Sequence, residues 1–162
     1  MRNFALAIML ALIPAAATPN GPGPIDPLHF FQGTTETLST VKVVMKKSYR
    51  SRSLGRGRID ESGSLILVQQ VQDEGRAPSE RRWQIRQIAP GRFSGSMSGA
   101  RGLVTITQVG PRYRLYFKTN SRLVVEQWIT PSADGKSART ESTIRQVGIK
   151  VATSNGTIHK LD

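Results

Sequence analysis

From Thr34 to Lys160 the apolar residues of this chain recur with a period of two, and turn formers interrupt them at nearly regular intervals. Runs rich in Val, Ile, Thr and aromatics predict strands at about 34–46, 48–60, 64–72, 80–89, 92–98, 103–109, 112–118, 122–130, 136–147 and 149–160. Between them lie Asp60-Glu61-Ser62-Gly63, Pro90-Gly91, Gly110-Pro111 and Ala133-Asp134-Gly135, whose residue types set turn dihedrals or bond their own backbone. Links this short make sequence neighbours pair as antiparallel hairpins. The expected architecture is all-β, an antiparallel up-and-down barrel of 8–10 strands, because closure removes unpaired edges.

The stretch RSRSLGRGR, Arg50 to Arg58, looks like a low-complexity tail but fits this pattern. Side chains alternate faces along a strand. Arg50, Arg52, Leu54, Arg56 and Arg58 then share one side, and Tyr49, Ser51, Ser53, Gly55, Gly57 and Ile59 share the other. The small face suits a crowded interior, since glycine in a strand marks close approach or curvature. The arginines point outward as a candidate anion-binding surface. Ahead of the strands, Asp26-Pro27 starts a helix, with Asp as cap and Pro at the first position. Leu28, His29, Phe30 and Phe31 complete about one turn before Gly33, and this short leading helical segment could plug a barrel end.

The residues before it carry an address. In MRNFALAIMLALIPAAATPN, Arg2 precedes ten apolar residues, Phe4 to Ile13, and Ala15-Ala16-Ala17 offers a small-x-small cleavage site. The run is too short to cross a bilayer as a helix, which takes ~20 residues. Residues 1–17 are therefore expected to be a signal peptide, 18–24 a flexible lead-in and 25–162 a single β-barrel domain. The expected location is periplasmic or extracellular, with no transmembrane segment. With no cysteine, the fold has no disulfides to hold it.

A formal net charge of +12, with Arg outnumbering Lys, implies attraction to polyanions. An exported protein meets anionic lipid headgroups and envelope polymers before it meets RNA. Nucleic acid is further disfavoured because only Tyr113, Tyr116 and Phe117 cluster as stacking aromatics. Catalytic motifs are missing: there is no G-x-S-x-G, no H-E-x-x-H and no phosphate loop leading into a helix. Two isolated histidines, His29 and His159, make no metal site. The expectation is a protein without enzymatic activity, cofactor or metal.

Binding residues are sought at strand centres. Gln69 lies between Leu67 and Val71 on its face, and Trp83 sits two residues before Ile85. Glu126 shares a face with Val124 and Trp128. It is either a cross-strand partner for an arginine or a lumen carboxylate that orients a ligand. Gln69, Trp83, Glu126 and Trp128 are the candidate ligand contacts, and Arg50, Arg52, Arg56 and Arg58 the candidate anion surface.

Several short motifs together resemble a bacterial envelope family of unknown function with a lipocalin-like barrel. They are Phe30-Phe31-x-Gly33, Leu65-x-Leu67-x-Gln69, Arg82-x-x-Ile85, Glu126-Gln127-Trp128, Gly148-Ile149-x-Val151 and Thr157-Ile158-x-Lys160. The resemblance implies a hollow, lipocalin- or calycin-like barrel closed at one end by the segment before the first strand. That family has acids where this chain has Gln69 and Gln127, and many members are anchored through a cysteine that this chain lacks. The reading that follows is an exported barrel binding a small, partly apolar or amphiphilic ligand in a lumen of at least roughly 300 Å³. The alternative is a basic surface adaptor whose arginine strand binds anionic envelope lipid or polymer.

Overall fold

In the computed structural model, which describes residues 25–162, Asp26 starts the helix α1 (Pro27–Phe30) by accepting a 2.9 Å hydrogen bond from the Leu28 amide. The expected signal peptide and lead-in, residues 1–17 and 18–24, lie outside the described residues. Helix α1 buries Leu28 and Phe30, and Gly33 at φ 89° turns the chain into the first strand.

Ten strands follow: β1 (Gly33–Val43), β2 (Tyr49–Ile59), β3 (Leu65–Asp73), β4 (Ser79–Ala89), β5 (Arg92–Met97), β6 (Val104–Val109), β7 (Arg112–Lys118), β8 (Leu123–Pro131), β9 (Ser137–Gln146) and β10 (Ile149–Lys160). Each pairs antiparallel with its sequence neighbour. The barrel closes where β1 meets β10, from Thr35 opposite Lys160 to Val43 opposite Ala152. The expected up-and-down barrel is the observed one. Strand β1 ends earlier than its apolar run, because Met45 takes a left-handed backbone (φ 59°) and residues 44–48 form a loop. Strand β10 is continuous, with a bulge between Lys150 and Ala152.

The two barrel ends differ. At one end α1 lies across the strands. Lys160 holds it there, its Nζ donating to the carbonyls of Phe30 (3.0 Å) and Gln32 (2.7 Å) at the helix C-terminus. The Tyr113 hydroxyl donates to the Ile25 carbonyl at 2.7 Å from the opposite wall. Burial, and secondarily the nearby Asp26 charge, push the Tyr113 phenol above its ordinary range. The core gathers here around Leu28, Phe30, Leu65, Ile85, Phe93 and Tyr113. Gly57 on the inner face of β2 makes room for the plug: a Cβ there would lie 1.9 Å from the Phe31 carbonyl oxygen. Among the described residues the other end carries the five strand connections, which makes this part of the chain a cup with an apolar floor.

Candidate functional site

Above the floor the lumen holds a cavity of about 460 Å³. Its wall is two-sided because adjacent strands place like residues at matching heights. On β2, β1, β10, β9 and β8 the inward positions include Ser51, Ser53, Ser39, Ser154, Ser142 and Gln127. Register pairs them in two groups: Ser51 opposes Ser39, while Ser154 opposes Ser142 and Ser142 opposes Gln127, with Val41 opposite Ser154 between the groups. The other half, β3 to β7, presents Leu67, Trp83, Ile85, Met97, Leu115 and Phe117 with Gln69 and Arg81 among them, and Val41, Val125 and Ile144 interrupt the hydroxyls of the first half. Trp83 and Phe117 meet edge to face at 5.9 Å between ring centroids. An apolar body thus has a wall to pack against, and a polar edge has donors and acceptors opposite it.

Two of the four candidate contacts face this lumen. Gln69 and Trp83 line it, and the indole Nε1 donates to the Gln69 Oε1 at 2.8 Å. That bond orients the ring against the Gln69 side chain. Glu126 and Trp128 do not line the cavity. On β8 the inward set is Leu123, Val125, Gln127 and Ile129, so Glu126 and Trp128 lie on the outer face. There Glu126 accepts hydrogen bonds from the Arg114 Nε (2.9 Å) and Nη2, and the Arg112 guanidinium lies 4.4 Å over the Trp128 ring. The Arg114 hydrogen bond and charge hold the Glu126 carboxyl below its ordinary range. Of its two readings, Glu126 is the cross-strand arginine partner. The sequence is ambiguous at this strand because both phases of LVVEQWI are apolar enough to face a core.

Arg81 is the first of two consecutive arginines, Arg81-Arg82, and the two face opposite ways. Arg81 belongs to the lumen face, two residues before Trp83 and opposite Gln69 in register, at the open end. No carboxylate lies within 4.0 Å of it among the described residues, whereas neighbouring Arg82 pairs with Glu80 at 2.6 Å. Its parity with Trp83 is the signal that finds it. Asp73 is the acid on the same rim, and it faces Arg76 at 3.9 Å.

Outside the barrel, the four arginines of β2 point to solvent as expected. Arg52 is tied to Glu36 at 2.6 Å and Arg50 lies 3.9 Å from Glu74. Arg56 and Arg58 have no ion-pair partner among the described residues. No group of three or more metal-ligating side chains occurs among those residues. Nor is any helix there long and apolar enough to cross a membrane.

The barrel is shared with solved structures. An S-type phycobiliprotein lyase from Guillardia theta superposes with a TM-score of 0.64 at 14% identity, over 83% of this chain and 90% of that one. A protein of unknown function from the DUF3598 family of Nostoc punctiforme superposes with a TM-score of 0.58 at 10% identity. It matches over 90% of this chain but only 53% of its own length. This is a lipocalin-like barrel. At such identities the likeness establishes the fold and nothing finer. No family model matches the sequence, and no curated protein matches it. One expectation is corrected by the comparison: a lyase is built on this same barrel, so the reading of the chain as a non-enzyme does not stand. Missing motifs excluded particular site types, but a cup-shaped lumen hosts chemistry without any of them.

Proposed function

We propose that the barrel takes up a small amphiphilic molecule in its lumen. The apolar part lies against Trp83, Phe117 and the floor, and the polar edge faces the hydroxyl and amide side. The observation that carries this reading is a cavity of about 460 Å³, well inside the range of ligand pockets, with Trp83 and Phe117 on one side and the hydroxyls of Ser39, Ser51, Ser53, Ser142 and Ser154 gathered on the other. Arg81 at the open end supplies a site for an acidic head group, since an exposed guanidinium is a fork for carboxylate or phosphate. The export signal in residues 1–17 belongs to the same proposal and gives such a carrier a periplasmic or extracellular address. Membership of the envelope family suggested by the short motifs is part of it too.

Calorimetric titration with dodecanoic acid and with dodecanol tests the reading. The barrel binds both, and the acid more tightly. Arg81→Gln lowers the affinity for the acid by about tenfold, the size of one charge-assisted hydrogen bond, and leaves the alcohol unchanged. Absence of binding to either compound would count against the lumen as a site for amphiphiles. Intact mass after expression in a secreting bacterial host tests the address, through loss of residues 1–17.

The surface-adaptor alternative is favoured less. Two of its four arginines, Arg50 and Arg52, already face acids, and the residual stripe is Arg56 and Arg58.

A further inference from the structure

The connections at the two barrel ends have opposite chemistry. At the open end, residues 44–48, 74–78, 98–103, 119–122 and 147–148 contain five cations, Lys46, Lys47, Arg76, Arg101 and Arg122, and one acid, Glu74. At the closed end, residues 25–32, 60–64, 90–91, 110–111, 132–136 and 161–162 contain five acids, Asp26, Asp60, Glu61, Asp134 and Asp162, and one cation, Lys136. With the flanking strand residues counted, Asp73 and Lys118 at the mouth and Arg92, Arg112 and Lys160 at the closed end, the mouth carries a cationic excess and the closed end is close to neutral.

The same rim displays the most exposed large apolar side chains among the described residues. Met45 is 99% exposed, Val147 90%, Leu103 70% and Ile149 70%. Three of these lie together. Strand β1 neighbours β10, and the Val44 amide donates to the Val151 carbonyl at 3.0 Å, so the loop of Met45 sits beside the turn of Val147. Leu103 stands across the mouth, on a loop bonded to the β7–β8 turn through the Asn120 amide and the Gly99 carbonyl at 3.0 Å.

Two of the exposed side chains are held out against backbone preference. Met45 (φ 59°) and Val147 (φ 47°) take left-handed conformations, and for β-branched valine that is a rare state. Val147-Gly148, with both φ positive, occupies the two central positions of a tight hairpin where Asn-Gly is the favoured pair. Neither solubility nor turn formation accounts for a fully displayed valine at this place.

We propose that the open rim docks on a bilayer surface rich in anionic phospholipid, with Met45, Val147, Ile149 and Leu103 entering the interface. Lys46, Lys47, Lys150, Arg101 and Arg122 then lie against the headgroups. Exposed apolar side chains interleaved with cations are the pattern of a surface that lies on a membrane without crossing it. Each cation strengthens binding to an anionic surface by about fivefold. The cationic excess at the mouth orients the approach. Docked this way, the mouth opens directly onto the lipid, which is where amphiphiles are found. The surface stands apart from the arginine stripe of β2, which runs along the barrel wall.

Flotation of the full chain with vesicles tests this, using phosphatidylcholine alone and an equal mixture of phosphatidylcholine with phosphatidylglycerol. All variants share one N-terminus, so binding through residues 1–24 is common to them and cancels. The expected result is binding to the anionic vesicles that weakens with salt. Lys46→Glu with Lys47→Glu lowers it by on the order of tenfold or more. Met45→Ser with Val147→Asn lowers it while the melting temperature stays at or above the parent's, because Asn suits the turn better than Val. Arg56→Glu with Arg58→Glu leaves it unchanged. Equal binding to neutral and anionic vesicles would overturn the proposal, as would loss of binding in the Arg56/Arg58 variant alone. A concentration-dependent dimer abolished by Met45→Ser, with no vesicle binding, would reassign the rim to self-association. Failure on vesicles leaves the titrations with dodecanoic acid and dodecanol untouched, so the two proposals fail separately.

Discussion

The Trp83 indole nitrogen donates to the Gln69 side-chain oxygen at 2.8 Å across the β3–β4 ladder. The pair is diagonal, since Trp83 opposes Leu67 and Gln69 opposes Arg81 in register. Such diagonal neighbours lie within reach of aromatic and long side chains on one sheet face. Here the bond fixes the largest ring of the lumen wall. Gln69→Leu removes the acceptor and leaves a half-buried N–H without its partner. Denaturant unfolding should show a loss of about 1–2 kcal/mol, the cost of an unmade hydrogen bond, with an altered indole emission. An unchanged midpoint and spectrum would show that the bond orients nothing.

Gly57 and Phe31 are the tightest contact between β2 and the plug. A Cβ at residue 57 would sit 1.9 Å from the Phe31 carbonyl oxygen, a backbone atom that a rotamer change cannot move. Gly57→Ala is expected to lose at least about 2 kcal/mol, in the range of overpacked cores. Ser53→Ala on the same face of the same strand faces the open cavity and should lose much less. Comparable losses in the two variants would mean that α1 does not seat against β2.

At the Val147-Gly148 turn, Val147→Asn should raise stability by about 1 kcal/mol, because asparagine tolerates the left-handed backbone that valine resists. A thermal melt reads the gain. A lowered melting temperature would show that valine makes a compensating contact.

Acid sensitivity follows from three carboxylates held below their ordinary values. Asp60 accepts from the Ser62 hydroxyl and from the Ser64 and Ser62 amides. Glu80 is lowered first by Arg82 and then by Gln70, and Glu126 by Arg114. A folded value below the unfolded one stabilises the protein above the ordinary carboxylate range and ceases to do so as pH falls through the folded value. Stability should therefore be level near neutrality and decline below about pH 4. The gap between parent and Asp60→Asn should narrow over the same interval. A gap independent of pH would show that Asp60 acts only through the shape of its turn.

How much of this was legible in the sequence depended on whether one phase of a strand was clearly polar. In β2 the arginines and the small residues separate cleanly, so the outward stripe and the crowded inner face follow from parity alone. In β8 both phases are apolar enough to be buried. The charged partners that settle the matter, Arg112 and Arg114, come from the neighbouring strand. Sequence periodicity does not contain that pairing. Arg81 was lost among its neighbours for the opposite reason: Arg81-Arg82 reads as one basic patch, although alternation sends the two to different faces. The loop at 44–48 extended the apparent strand because Val44 and Met45 continue its apolar run, and their exposure depends on the left-handed bend at Met45. The hydroxyls of β1, β2, β9 and β10 needed the strand order of the closed barrel before they could be seen to share one side of the lumen.

The two tryptophans offer the most direct test of the lumen as a binding site, since Trp83 lines the cavity and Trp128 lies outside under Arg112. Trp128→Phe leaves Trp83 as the only indole, and Trp83→Phe leaves only Trp128. Each is titrated with ω-bromododecanoic acid, whose bromine quenches an indole in contact with it. The account predicts saturable quenching of Trp83 and none of Trp128. Equal quenching of both, or quenching of Trp128 alone, would place the amphiphile on the outer surface and contradict a ligand-binding lumen.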